Sequence, residues 1–373
     1  MIDILGFLLA WLTFLAIYAI LSLSLNLEYG FAGQANFGKV AFYGIGSYTA
    51  AAFSIWLFLE IYGISYALYG LDTLVTMGKL VPKDPFLDVF VFVASLVLAF
   101  LISGIFGYMI SYPTLRVGPE FVGITVLSFG ELLRVFLRNY LPLGGPYGLA
   151  GIPNPFSWVR DVTIKNISYT ATAIGLAVLI YFFLERLVNS PYGRALKAVR
   201  EDEGATLSFG KDVQKLRAEA FFVGSGLAGI AGALFAHYVT YVNPDSFVPG
   251  VTFDVWTMVI LGGKGNNKGV VIGAALLTLM DRLTAALNFI FPDLPVDPNF
   301  MRRTIMGLVL VGVLLFKSEG LFHEGPTETV AWNVLAQHDK LPKEERPSLL
   351  QRVEQFLRKN IIRVVKWFTM GGG

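Results

Sequence analysis

Six ionisable side chains stand inside stretches that are otherwise apolar: Lys39, Glu131, Arg134, Asp254, Asp281 and Arg282. In hydrocarbon each is costly unless it has a partner or faces a cavity, so each is a functional candidate by default. Glu131 and Arg134, three residues apart, share one helical face and can neutralise each other, either as a structural pair or as a charged patch beside a pathway. Asp281 and Arg282 are adjacent and cannot face each other, so each needs a separate partner or an interfacial position. Asp254 meets either another protein or water. The three histidines, His237, His323 and His338, have no metal-ligand spacing, and nothing brings a Ser-His-Asp arrangement together. "GGKGNNKG", Gly262–Gly269, lacks the order of a phosphate-binding loop and reads as a tight turn between two apolar segments. Cysteine is absent, which removes disulfides, thiolate metal sites and cysteine nucleophiles.

The elements that must position these groups are membrane helices. Hydrophobic residues make up 55% of the 373 positions and charged ones 15%, well below the ~25% charge of a soluble domain. Apolar stretches long enough for roughly 30 Å of hydrocarbon recur at about Ile4–Leu27, Gly38–Leu59, Val89–Tyr112, Val117–Leu137, Ile167–Leu187, Ala218–Tyr241, Phe247–Leu261, Val270–Phe291 and Ile305–Phe316. Ile61–Leu80 can add a half-helix. The expected fold is an all-α integral membrane bundle of about 8–10 spans with broken or re-entrant segments. Asp3 and the length of the first apolar run mark a retained helix, not a cleaved signal peptide. Net charge is only +2, and the basic residues lie in loops and one tail, so nucleic acid is not an expected partner.

One stretch is polar throughout. Of the 25 residues from Gly193 to Arg217, ten are charged and six of those are basic, whereas the next loop, "YVNPDSFVPG", has no Lys or Arg. Positive residues collect on the cytoplasmic side, which places this island there. Arg302 and Arg303 then fall near the outer side and conflict with simple alternation. Inside the island Asp202 can cap a short helix, Glu203–Phe209, that Gly210 ends in the left-handed conformation. Such a helix carries Ala205, Leu207 and Phe209 beyond the membrane as small and apolar tips that suit a groove. Charge alone would explain the island equally as a topology anchor.

Glycines recur beside polar residues in the first half, where Asn26, Gln34, Asn36, Ser47 and Tyr48 are candidates to border a route through broken helices, with Glu131 as a sixth. In "GSGLAGIAG", Gly226, Gly229 and Gly232 read as a close helix-packing stripe.

Five motifs occur in order: "LSLNLEYGFAGQANFGKVAFYGIGSYTAA", "LRVGPEFVGITVLSFGELLRV", "LGGPYGLAGIP", "SPYGRALKAVREDEGATLSFG" and "LGGKGNNKGVVIGAALL". Together they resemble the membrane permease of branched-chain amino acid ABC importers, nearer the LivM type than the LivH type, over about Leu21–Phe322. Lys39 stands where a small residue or His is common in that family, the loop Glu60–Asp88 is longer, and a basic tail follows the family core. The resemblance implies one half of a transmembrane pair in the cell membrane, either with a LivH-like subunit or with a second copy. Two cytoplasmic ABC ATPase subunits would drive it and an extracytoplasmic binding protein would feed it. It implies no cofactor and no nucleotide site in this chain, and it places the ATPase-coupling helix at Asp202, Glu203, Ala205, Leu207, Phe209 and Gly210. The same architecture could import urea, an amide or another small solute. A stand-alone secondary transporter or channel would need no such helix.

The expected organisation is a permease domain over 1–322 with its coupling loop at 188–217, a polar linker over 323–347, and a basic amphipathic helix over 348–370 that begins with a capping box at Ser348 and Gln351. That helix suits either the anionic cytoplasmic leaflet or packing against protein, and alternation from the polar island places the C-terminus in the cytoplasm.

Overall fold

Short acidic side chains start several of the helices. The computed structural model describes residues 3–81, 84–114, 119–290, 304–305, 307–309, 311–313, 320–322 and 324. Asp3 accepts from the Gly6 N–H at 2.9 Å and opens α1, Ile4–Leu25. There follow α2, Lys39–Ile61; α3, Leu71–Leu80; α4, Pro85–Thr114; and α5, Pro119–Asn139. Asp161 caps α6, Val162–Val188, by accepting from Thr163 and Ile164, and Ser190 with Pro191 starts α7, Pro191–Glu201. The six-residue α8, Glu203–Ser208, is followed by α9, Val213–Val239, capped by Asp212. The last two are α10, Pro249–Gly262, and α11, Asn267–Ile290. Each cap satisfies backbone donors that the helix itself leaves free.

Among the described residues, five helical stretches are long and apolar enough to cross a membrane: Ile4–Phe31, Lys39–Ile61, Pro85–Tyr112, Val162–Val188 and Val213–Val239. α5, α10 and α11 fall within or around the predicted stretches at 117–137, 247–261 and 270–291. α5 carries Glu131, Arg134 and Arg138 along its length, and α10, at 14 residues, is only roughly 21 Å long at 1.5 Å per residue. The long loop after α2 contains a short helix, α3, in place of a half-span over the whole of 61–80.

Met1–Glu324 forms one compact unit. α9 lies at its centre and packs most extensively on α4 and α2, while α1 packs on α6 and α11. Within lipid such packing comes from close van der Waals fit, and glycine provides it. A Cβ on Gly232 would lie 2.0 Å from the Tyr43 carbonyl oxygen, and one on Gly46 would lie 2.2 Å from the Gly229 carbonyl oxygen. The α2 and α9 backbones therefore touch, as the glycine stripe predicts. At the end of the bundle where α5 and α9 finish, β1, Leu149–Ala150, pairs antiparallel with β2, Tyr241–Val242. The expected linker and amphipathic helix, the capping box at Ser348, His323, His338, Arg302 and Arg303 all lie outside the described residues.

Candidate functional site

α1 does not simply stop at Leu25. Asn26–Phe31 continues it as a π-helical turn, and Gly33, at φ +71°, turns the chain toward α2. The wider turn frees one residue's side chain from helical register, and π-turns of this kind often mark functional positions. Here the residue is Glu28. Its Oε1 accepts from Lys39 Nζ at 2.8 Å and its Oε2 from Asn36 Nδ2 at 2.9 Å, and neither Glu28 nor Lys39 has any solvent exposure. α9 walls the carboxylate in, because a Cβ on Gly224 would sit 2.2 Å from Glu28 Oε1. The Asn36 carbonyl accepts from the Trp256 indole at 3.0 Å, and Thr252 Oγ1 accepts from the Val40 N–H at 3.0 Å. Both bonds fasten the break to α10.

A second irregular segment faces the first. Gly263 and Gly265, at φ +112° and +78°, turn the chain between α10 and α11, which is the tight turn expected of "GGKGNNKG". Asn26 joins the two breaks: its Oδ1 accepts from the Gly265 N–H and its Nδ2 donates to Asn267 Oδ1, both at 2.9 Å. Asn267 in turn donates to Glu185 Oε2 at 3.0 Å. Irregular backbone inside a membrane bundle is tolerated only where it is buried in protein or lines a cavity, and discontinuous helices are where transporters hold their solutes.

The six residues predicted to border a route separate into groups. Asn26, Asn36 and Ser47 are buried with their side-chain polar atoms bonded internally, Ser47 through its hydroxyl to the Gly232 carbonyl at 2.7 Å. Gln34 and Tyr48 are buried too, yet neither the Gln34 amide nor the Tyr48 hydroxyl has a hydrogen-bond partner among the described residues. Glu131 is half-exposed and pairs with Arg134 at 2.9 Å; Arg134 also reaches Asp245 at 3.2 Å. Arg282 lies 3.9 Å over the Phe14 ring, and Asp254 and Asp281 are half-buried. His237 is fully buried, with Nδ1 2.6 Å from the Pro153 carbonyl and Nε2 2.7 Å from Ser95 Oγ, which ties the loop after β1 to α4 and α9.

At the opposite end of the bundle lies the polar island. Asp202 is at once the last cap of α7 and the first of α8, where its Oδ1 accepts from the Ala205 N–H at 2.9 Å. Gly210 closes the segment at φ +71°. Thr206 is buried against the body, whereas Leu207 is 54% and Phe209 84% exposed, with Ala205 exposed beside them. α8 is thus a capped helix that holds two large apolar side chains, Leu207 and Phe209, away from the protein.

The family model for the permease component of branched-chain amino acid transport systems matches residues 7–314. The chain belongs to that family. It is 30% identical over 335 residues to the probable branched-chain amino acid transport permease protein LivM of Methanocaldococcus jannaschii, covering 88% of this chain and 96% of that protein. It is 29% identical over 332 residues to the high-affinity branched-chain amino acid transport system permease protein LivM of Escherichia coli K12, covering 83% and 68%. To LivH of the same organism it is 26% identical over 278 residues, covering 72% and 82%. No solved structure matches. This permease is a multi-pass helical membrane protein and a subunit of an ABC importer.

Two charged residues at the heart of these sites escape a reading of the sequence. Glu28 sits at the end of the first apolar run and looks like an interfacial residue. The signal that could have found it is Lys39, a cation inside the second run that needs an anion, with Glu28 the nearest carboxylate along the chain. Arg200 reads as one of six basic residues that set topology, yet its guanidinium donates to the Gly30 carbonyl in the π-turn.

Proposed function

We propose that this permease forms half of an alternating-access route for branched-chain or similar hydrophobic amino acids, beside a LivH-like subunit or a second copy. An extracytoplasmic binding protein delivers the solute at the β1–β2 end, and two cytoplasmic ATPase subunits, which carry the nucleotide sites, grip the α7–α8 end. The C-terminus lies on that cytoplasmic side, a reading supported by Glu324 meeting Lys197 and Arg200 of α7. The exposure of Leu207 and Phe209 on a capped helix of the positively charged island is the observation that carries the assignment. Along the route we assign solute contact first to Gln34 and Tyr48, whose polar groups are unspent, and a supporting role to Asn26, Asn36 and Ser47.

The test is the double variant Leu207→Ala, Phe209→Ala in the assembled transporter. Small interfaces concentrate their energy in a few side chains, about 1–2 kcal/mol each or more, so docking of the ATPase should weaken roughly tenfold or more. Membrane insertion should be normal, since the helices of the bundle do not rest on either residue. Parental docking and leucine uptake by the double variant would refute the assignment.

A further inference from the structure

α7 is more than a connector to the docking helix, because it holds the π-turn of α1. Arg200 donates to the Gly30 carbonyl, and the same guanidinium nitrogen lies 2.8 Å from Glu324 Oε2. One turn earlier Lys197 lies 3.0 Å from Glu324 Oε1 and 5.5 Å over the Phe31 ring, also in the π-turn. The approach is close: a Cβ on Gly33 would sit 2.9 Å from Arg200 Cγ, and one on Gly265 would sit 2.7 Å from Glu324 Oε2. Lys197, Arg200 and Glu324 are all less than a quarter exposed.

These contacts form an unbroken chain of bonded groups. It runs from α8 through the shared cap Asp202 into α7, through Arg200 to Gly30, and through the π-turn to Glu28, Lys39 and α2. A π-turn carbonyl without a regular helical partner is a natural handle for a guanidinium, and a charge-assisted bond in a sheltered site is stronger than a neutral one. Glu324 balances the charge and keeps the fork oriented.

We propose that Arg200 is a positioning residue that transmits movement of α8 to the broken α1–α2 segment, with Glu324 and Lys197 as its supports. The inference rests on the reading of α8 as the ATPase-docking helix. Bonded continuity alone does not establish coupling, so the test must measure coupling itself.

The assembled transporter is reconstituted with Arg200→Ala, Arg200→Lys or Glu324→Gln, and three quantities are read: ATPase retained on purification, thermal stability of the complex, and leucine taken up per ATP hydrolysed with the loaded binding protein present. Arg200→Ala should retain ATPase and stability near the parent while uptake per ATP falls about tenfold, the scale of losing one charge-assisted bond. Arg200→Lys should fall between, because the shorter side chain keeps a positive charge for Glu324 but does not extend as far as the guanidinium nitrogen that also meets Gly30. Glu324→Gln should lower uptake per ATP in the same direction by less. Uptake per ATP within twofold of the parent overturns the proposal, and so does a parallel loss of docking, stability and uptake, which is what a purely structural role gives. If the docking reading itself is wrong, the Leu207→Ala, Phe209→Ala variant retains its ATPase, an outcome separate from any result at Arg200.

Discussion

Replacing Lys39 by Met should destabilise the permease strongly. The ammonium lies 2.8 Å from Glu28 Oε1 and both side chains are wholly excluded from solvent. Methionine fills most of the volume but leaves the Glu28 carboxylate with one remaining side-chain donor, Asn36 at 2.9 Å. Removing one partner of a buried pair costs about 3–5 kcal/mol, whereas replacing both with neutral groups of similar size is often close to neutral. Glu28→Gln should therefore cost a similar amount, because it leaves the ammonium unpaired, and the double variant Glu28→Gln, Lys39→Met should recover most of the loss. The cycle should give a coupling energy of about 2 kcal/mol or more. Equilibrium unfolding in mixed micelles, followed by tryptophan fluorescence and circular dichroism on all four proteins, measures it. Single variants that each cost less than about 1 kcal/mol, or a double variant that costs the sum of the two, would show that the pair is not the closed, desolvated unit described above.

The remaining expectations concern packing and access. Gly232→Ala should cost about 1–3 kcal/mol or abolish monodisperse expression, because its Cβ would meet the Tyr43 carbonyl oxygen at 2.0 Å. Gly175→Ala on α6 has nothing within 4 Å and should be neutral or stabilising by up to about 1 kcal/mol; size-exclusion profiles after graded heating separate the two. The chain contains no cysteine, so single-cysteine variants label without background. Gln34→Cys and Tyr48→Cys should react with small thiol reagents in a nucleotide-dependent way while Ser47→Cys stays protected, and equal protection at all three would assign the whole set to packing.

What the sequence made legible depends on how far apart the interacting residues lie. The Asp202 cap, the short helix and the left-handed Gly210 sit within nine residues and obey local rules, so they could be written down in advance. Glu131 and Arg134 share a helical face by spacing alone, and their pairing follows. Asn26 meets Asn267 and Gly265 from the far end of the chain, and no local rule selects those partners. Glu28 and Lys39 are only eleven residues apart, but the path between them passes a π-turn and a left-handed glycine, so neither the 3.6-residue nor the 2-residue period brings them together. Arg200 was hidden for a different reason: its charge already had an explanation in topology, and its carbonyl partner leaves no trace in side-chain identity.

The meeting of α2 and α9 also constrains how this protein can change over generations. Most tight contacts between side chains can drift, since enlargement on one side can be offset by a smaller residue on the other. At Gly46 and Gly232 what stands opposite is a carbonyl oxygen, on Gly229 and Tyr43 respectively, and every amino acid carries that same atom. No second substitution can make room for a first, so these positions can vary only if the two helices move apart.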